Sequence, residues 1–180
     1  MFRILQKVPF VFFDTACYYI LRQLAGFLGG YMALDTSYKG KSFEPFTFEV
    51  ERGKIRELCM AIGDKNQIFF DTDVAKAAGY KDTPAPLTFA TVMNFWGYPE
   101  VWDRMREIGI DVKRLLHAKE EYEYFSQIYP GDILTGVVSV ESMRDGAMGM
   151  VSFKTTYSRG EEKVLTAKMT IIIPPKKEGT

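Results

Sequence analysis

Residues 87–96 read as a helix with no polar face. Leu87, Phe89, Val92, Met93, Phe95 and Trp96 cover its surface nearly all round, and a helix apolar on every side belongs in a core. Pro84 and Pro86 forbid helix through their own segment, and Pro86 suits the first turn of the next helix, so the start of the helix is fixed. The second half of the chain decides how such a helix can be buried. From Lys113 onward the chain reads as strands at 115–128, 133–144, 148–158 and 163–173. Turn-forming triplets separate them: Pro130-Gly131-Asp132, Arg144-Asp145-Gly146 and Arg159-Gly160-Glu161. Strands joined this closely pair antiparallel. One packing satisfies both halves of the pattern: an α+β architecture with an antiparallel sheet wrapped around a central buried helix.

The first half of the chain supplies smaller pieces. Residues 46–50 alternate weakly and are expected to form a first strand. Between Glu51 and Ile62, the residues Ile55, Leu58, Cys59 and Ile62 recur at helical spacing, and Gly63 can end that helix. Asp71 or Thr72 can cap a short helix running to Ala78, with Gly79 after it. Residues 97–111 are expected to be irregular or partly helical. Residues 1–31 carry eight aromatics and only four charges, Arg3, Lys7, Asp14 and Arg22. They are expected to be an extension outside a domain spanning 32–173. The competing reading is an amphipathic helix on the domain or on a membrane surface. Residues 174–180 form a polar tail.

Bulk properties narrow the function. A chain of 180 residues is long enough for one domain with a real core. With 23 basic and 23 acidic residues the formal net charge is zero, and a nucleic-acid binder would carry a basic excess. Cys17 and Cys59 make neither a disulfide framework nor a zinc set, and they suit a reducing, cytoplasmic setting. No His/Cys/Asp cluster has metal-ligand spacing, no phosphate-cradling loop is present, and no cofactor is implied. A membrane span is not expected, because Asp14 and Arg22 interrupt the apolar N-terminal stretch.

Several segments point further: EVERGKIRE from Glu49, AIGDKN from Ala61, AAGY from Ala77, APLTF from Ala85, LLHAKEEYEY from Leu115 and YPGD from Tyr129. Taken together, these resemble the MaoC-like dehydratases, and especially their N-terminal, FAS1-like dehydratase domain, over roughly residues 32–173. The resemblance implies a hot-dog fold and chemistry on acyl thioesters. In catalytic members an Asp and a His bind one water and add it across the double bond of a trans-2-enoyl thioester, or dehydrate a (3R)-hydroxyacyl thioester. The reaction needs a base to take a proton from water and an acid to protonate the α-carbon.

Asp64 and Asn66 stand at the family's acidic and amide positions. Against that, Gly63-Asp64-Lys65-Asn66 is also ordinary turn chemistry. The family's His, five positions after the Asp, is Phe69 here, and a phenyl ring cannot carry a proton. His117, the only histidine, is either a displaced acid approaching Asp64 or simply a polar position on a strand. Glu120, Glu121 and Glu123 beside it read as a solvated edge. Pro86, Leu87, Thr88, Phe89 and Trp96 are the expected substrate-binding positions, with free N–H groups near Leu87 and Thr88 to polarise the thioester carbonyl.

The missing His resembles the non-catalytic subunit of heterodimeric (3R)-hydroxyacyl-ACP dehydratases. The implied role is an acyl-CoA- or acyl-ACP-binding subunit whose hot-dog partner supplies the Asp/His pair. The alternatives are a self-sufficient homodimeric enoyl hydratase and a non-enzymatic acyl-thioester binding module.

Overall fold

In the computed structural model, residues 33–146 and 148–174 are described; the 1–31 extension and most of the polar tail lie outside them. The five strands are β1 (Phe46–Glu49), β2 (Leu116–Tyr124), β3 (Ile133–Arg144), β4 (Gly149–Arg159) and β5 (Glu162–Ile173). They form one sheet in the order β1-β3-β4-β5-β2, and every neighbouring pair is antiparallel. Four helices accompany the sheet: α1 (Arg52–Ala61), α2 (Thr72–Ala77), α3 (Phe89–Phe95) and α4 (Val101–Glu107).

The burial pattern of the strands explains the layering. In β4 buried and half-buried residues alternate along most of the strand, as a sheet with one core face requires. Its inward residues Val151, Phe153 and Tyr157 fall into two apolar clusters. One joins Phe89, Ala90 and Met93 of α3 to Leu134, Tyr157, Leu165 and Ala167 of the sheet, with Ile55 and Cys59 of α1 beside them. The other joins Val101 and Met105 of α4 to Val140, Val151, Phe153 and Ile171. The sheet therefore wraps α3, and the fold is the hot-dog fold. Phe89 and Met93 are fully buried, and each such side chain contributes about 1.5–3 kcal/mol by leaving water.

Two details differ from the sequence pattern, and a third bears it out: residues 97–111 are partly helical, as expected. The helix is shorter than 87–96, and its flanks are wet: Leu87 is 67 % exposed and Trp96 66 %. Apolar composition alone cannot show where a helix leaves the cover of the sheet. The Trp96 ring carries the Lys54 ammonium 3.9 Å from its centroid, which gives an exposed indole a favourable partner. Residues 97–111 contain a defined helix, α4, with Val101, Met105, Ile108 and Ile110 all buried. Strand β2 stops at Tyr124 rather than 128, because the backbone beyond it turns to pair with the segment before α3: the Ala85 N–H donates to the Ile128 carbonyl at 2.9 Å.

Gly97 makes the sharp exit from α3 possible. A Cβ there would lie 2.3 Å from the Phe48 ring and 2.7 Å from the Met93 carbonyl oxygen, so only glycine lets these elements approach.

Candidate active site

The turn after α1 holds the residues that match the family's acid position. Gly63 adopts φ +73, and the Asp64 N–H donates to the Cys59 carbonyl at 2.9 Å. The Asp64 carboxylate accepts the Asn66 N–H at 2.9 Å, and the Asn66 side chain accepts the Ile68 N–H at 3.2 Å. Asn66 thereby caps the short 3-10 helix Gln67–Phe69. Each polar side chain accepts one local backbone N–H, as in any turn after a helix. Phe69 is half-buried and packs against the cluster that includes Ile55 and Cys59. Burial, with the nearby Asp64 charge second, pushes the Cys59 thiol up, so this cysteine is an inert core residue.

The approach to α3 is clamped from two sides. Arg52 on α1 makes two 2.7 Å bonds to the Asp82 carboxylate and a third, at 2.8 Å, to the Thr83 hydroxyl. The Arg52 hydrogen bond holds the Asp82 carboxyl well below the usual carboxylate range. On the other side the Gln127 amide donates to the Ala85 carbonyl at 3.1 Å. Pro86 is buried, while Leu87 and Thr88 are exposed at the surface. The first turn of α3 uses some of its own donors: Phe89 N–H bonds the Pro86 carbonyl at 2.9 Å and Thr91 N–H the Thr88 carbonyl at 3.1 Å.

A second polar group, which no motif marks, lies where α3 meets the outer strand β2. The pairing of β2 with β5 slips between His117 and Lys119, so that Ala118 is an extra residue, a β-bulge. Past the bulge, Glu120, Tyr122 and Tyr124 stand opposite Met169, Ala167 and Leu165, which are buried core residues. Glu120 therefore faces the helix and is half-buried, while Glu121 and Glu123 are exposed as a solvated edge. His117, opposite the buried Ile171, shares the inner face with Glu120, and its Nε2 lies 3.7 Å from a Glu120 oxygen. The imidazole is thus placed with Glu120, while the Asp64 carboxylate serves its own turn. No periodicity argument shows which face Glu120 takes, because one bulged residue reverses the alternation.

Around Glu120 the contacts are short. The Thr91 hydroxyl is 2.7 Å from the Tyr122 hydroxyl and 3.5 Å from a Glu120 oxygen. Tyr124 donates to the Leu87 carbonyl at 2.6 Å, and Tyr157 donates to the buried Asn94 side chain at 2.7 Å. Burial raises all three phenols: Tyr124 is pushed up to about 12, and Tyr122 and Tyr157 well above their ordinary value. Glu120 Oε1 is buried and has no hydrogen-bond partner among the described residues. One helical turn beyond Thr91, Asn94 and Phe95 line a cavity of about 20 Å³ together with Val138, Phe153, Ala167 and Met169. It lies between α3 and the sheet and has room for about one water. Among the described residues, no group of three or more His, Cys, Asp or Glu is placed to hold a metal ion. Nor is any described helix long and apolar enough to cross a membrane.

A buried helix wrapped by an antiparallel sheet is the hot-dog fold. Residues 37–167 match the family model for the FAS1-like dehydratase domain region, and the chain belongs to that family. It is also similar to UPF0336 proteins of actinobacteria. It is 34 % identical to one from Streptomyces avermitilis, over 82 % of this chain and 100 % of the relative. It is 35 % identical to one from Saccharopolyspora erythraea, over 78 % and 92 %. Among solved structures, the C-terminally truncated HadBC (3R-hydroxyacyl-ACP dehydratase) complex of Mycobacterium tuberculosis superposes with a TM-score of 0.67 at 22 % identity, covering 77 % of this chain and 99 % of that one. The (R)-hydratase PhaJ1 of Pseudomonas aeruginosa superposes with a TM-score of 0.56 at 12 % identity, over 77 % and 83 %.

Proposed function

We propose that this chain is the acyl-binding subunit of an enzyme that dehydrates (3R)-hydroxyacyl thioesters or hydrates trans-2-enoyl thioesters. A second hot-dog subunit supplies the Asp/His pair. Phe69 carries the reading: where catalytic relatives place a proton-carrying imidazole, this chain places a half-buried phenyl ring packed against the core. Hydration needs one group to deprotonate water and one to protonate the α-carbon, and with Phe69 in place of an imidazole this segment offers only the Asp64 carboxylate. Two of the similar solved structures support a partner, being complexes of two named components, HadBC and ChsH1–ChsH2 of Mycobacterium tuberculosis. The chain's contribution is then shape. The segment before α3, held by the Arg52 and Gln127 clamps, brings Pro86, Leu87 and Thr88 to the thioester, with the buried Phe89 behind them. Trp96 stands at the far end of the helix. The carrier is CoA or an acyl carrier protein.

The test is the hydration of crotonyl-CoA and of a longer trans-2-enoyl-CoA by the purified chain, alone and with a candidate partner that has both Asp and His. Loss of a general acid typically costs about 10²–10⁴-fold, so the chain alone is expected to be nearly inactive and the pair active. Robust turnover by the chain alone would overturn the reading. If that turnover also vanished in His117→Ala, the chain would be a self-sufficient hydratase. Thioester binding without turnover in either setting would make it a binding module.

A further inference from the structure

We propose that Glu120 and the cavity at Asn94 select an acyl chain that carries a hydroxyl roughly ten carbons from the thioester carbonyl. The proposal rests on the acyl-binding-subunit reading and deepens it by naming the substrate class, hydroxylated acyl thioesters of medium length in place of plain fatty ones.

The inward side chains of β2 form a graded row along the seam with α3. Tyr124 donates to the Leu87 carbonyl at 2.6 Å, which puts it at the end where α3 begins and the thioester is held. Tyr122 comes next, 2.7 Å from the Thr91 hydroxyl. The rings of these two tyrosines, with centroids 6.4 Å apart, give methylene groups an apolar surface. Glu120 follows, 3.5 Å from the Thr91 hydroxyl and 3.7 Å from His117 Nε2. Its side chain is 19 % exposed, so it can be reached, yet its buried Oε1 bonds none of the described residues. A buried acceptor without a donor is costly. Beside a plain alkyl chain that cost would stay, and beside a hydroxyl it is removed.

The row ends beside the cavity between α3 and the sheet. Tyr122 and Glu120 stand opposite Ala167 and Met169 of β5, and both of those line the cavity of about 20 Å³. Its polar walls, Asn94 and Thr155, are buried, at 8 % and 5 % exposure. Asn94 gives its oxygen to Tyr157 at 2.7 Å, so its amide N–H groups are what it offers the cavity. Room for about one water admits a hydroxyl but no run of further methylenes. A hydroxyl can donate to a carboxylate and accept from an amide N–H, and a methyl end can do neither. Spacing sets the length. The four strand steps from Tyr124 to Glu120 cover about 13 Å. An extended chain advances about 1.2 Å per bond, as an extended backbone does, so roughly ten bonds separate the carbonyl carbon from the hydroxyl oxygen.

The test compares 10-hydroxy-trans-2-decenoyl-CoA with trans-2-decenoyl-CoA, which differ by one oxygen. Binding is measured by calorimetric titration of the full chain, alone and together with the partner that has both Asp and His. The hydroxylated thioester is expected to bind at least about tenfold more tightly, as a hydrogen bond to a charged group allows. In Glu120→Leu that preference is expected to vanish or reverse. In Glu120→Gln, which keeps the shape and removes the charge, it is expected to fall several-fold, and this variant stands in if the leucine chain does not fold. Equal binding of the two thioesters by the parent chain, or tighter binding of the plain one, would overturn the proposal and leave the acyl-binding reading intact. A preference that survives unchanged in the Glu120 variants would do the same, because the hydroxyl would then be met elsewhere. Binding of neither thioester in either setting sinks the acyl-binding reading itself, and the proposal falls with it.

Discussion

Two carboxylates in this chain invite comparison. Asp64 sits where the family keeps its acid, yet its oxygen is spent on the Asn66 N–H, and Asn66 itself caps the next turn. Glu120 reads in sequence as part of a solvated edge, yet it faces α3 beside Thr91 and Tyr122, with one oxygen that bonds none of the described residues. Residue type at a motif position says what chemistry is conceivable. The hydrogen bonds already made say what capacity is left. By that measure Asp64 has given one bond to its turn and keeps its second oxygen, while Glu120 keeps a buried oxygen that bonds none of the described residues.

The sharpest way to break this comparison is to show that α3, which carries the Thr91 side of the edge cluster, is not a fixed support. Phe89 is fully buried while Leu87, two residues earlier, is 67 % exposed. Phe89→Ala is therefore expected to cost about 3–5 kcal/mol in chemical denaturation through the cavity it leaves. Leu87→Ala is expected to change stability by no more than about 0.5 kcal/mol. Equal effects would mean that the helix is not held as described. Next in size is Tyr157→Phe, which strands the Asn94 oxygen in the core and is expected to cost about 1–3 kcal/mol. A neutral result would show that Asn94 finds another donor.

An alkaline titration sharpens the contrast further. Tyr122, Tyr124 and Tyr157 all hold their protons more tightly in the fold than an ordinary tyrosine, chiefly through burial, Tyr124 up to about 12. A raised folded pKa gives stability that is intact below the unfolded value near 10 and is lost as the pH rises from there. The thermal midpoint is expected to fall as the pH rises past about 10, and to fall less in Tyr124→Phe. A midpoint independent of pH in that range would place these phenols in water. The smallest effect belongs to the turn: Asn66→Ala removes a cap on one exposed turn and is expected to cost about 0.5–1 kcal/mol by the same denaturation assay. A cost as large as that of Tyr157→Phe would mean that the turn is built into the core after all.

The architecture is legible in the sequence because it rests on long-wavelength features. The greasy run after Pro86 and four strand segments split by turn triplets leave little choice of packing. Residues 97–111 are less legible, since Val101, Met105, Ile108 and Ile110 fall among charged neighbours and Gly97 and Gly109 interrupt any simple period. The edge cluster is not legible at all. Thr91 lies inside an apolar run, Tyr122 and Glu120 inside a charged one, and their meeting depends on a slip in pairing that has no compositional signature. The turn at Asp64 shows the opposite case, in which a recognisable string marks the family while its atoms are engaged elsewhere.

That slip at Ala118 has a consequence for how the chain tolerates change in length. A strand is a two-phase object, and an added residue ordinarily inverts everything on one side of it. Here the surplus residue is absorbed at one point, so His117 keeps the phase of Glu120 even though three positions separate them. Removing Ala118 would leave His117 paired with Ile171 as before, whereas pairing Ala118 regularly would turn the only imidazole of the chain to the opposite side. The bulge thus acts as a phase corrector. It keeps His117 and Glu120 together on the helix-facing side of the edge strand.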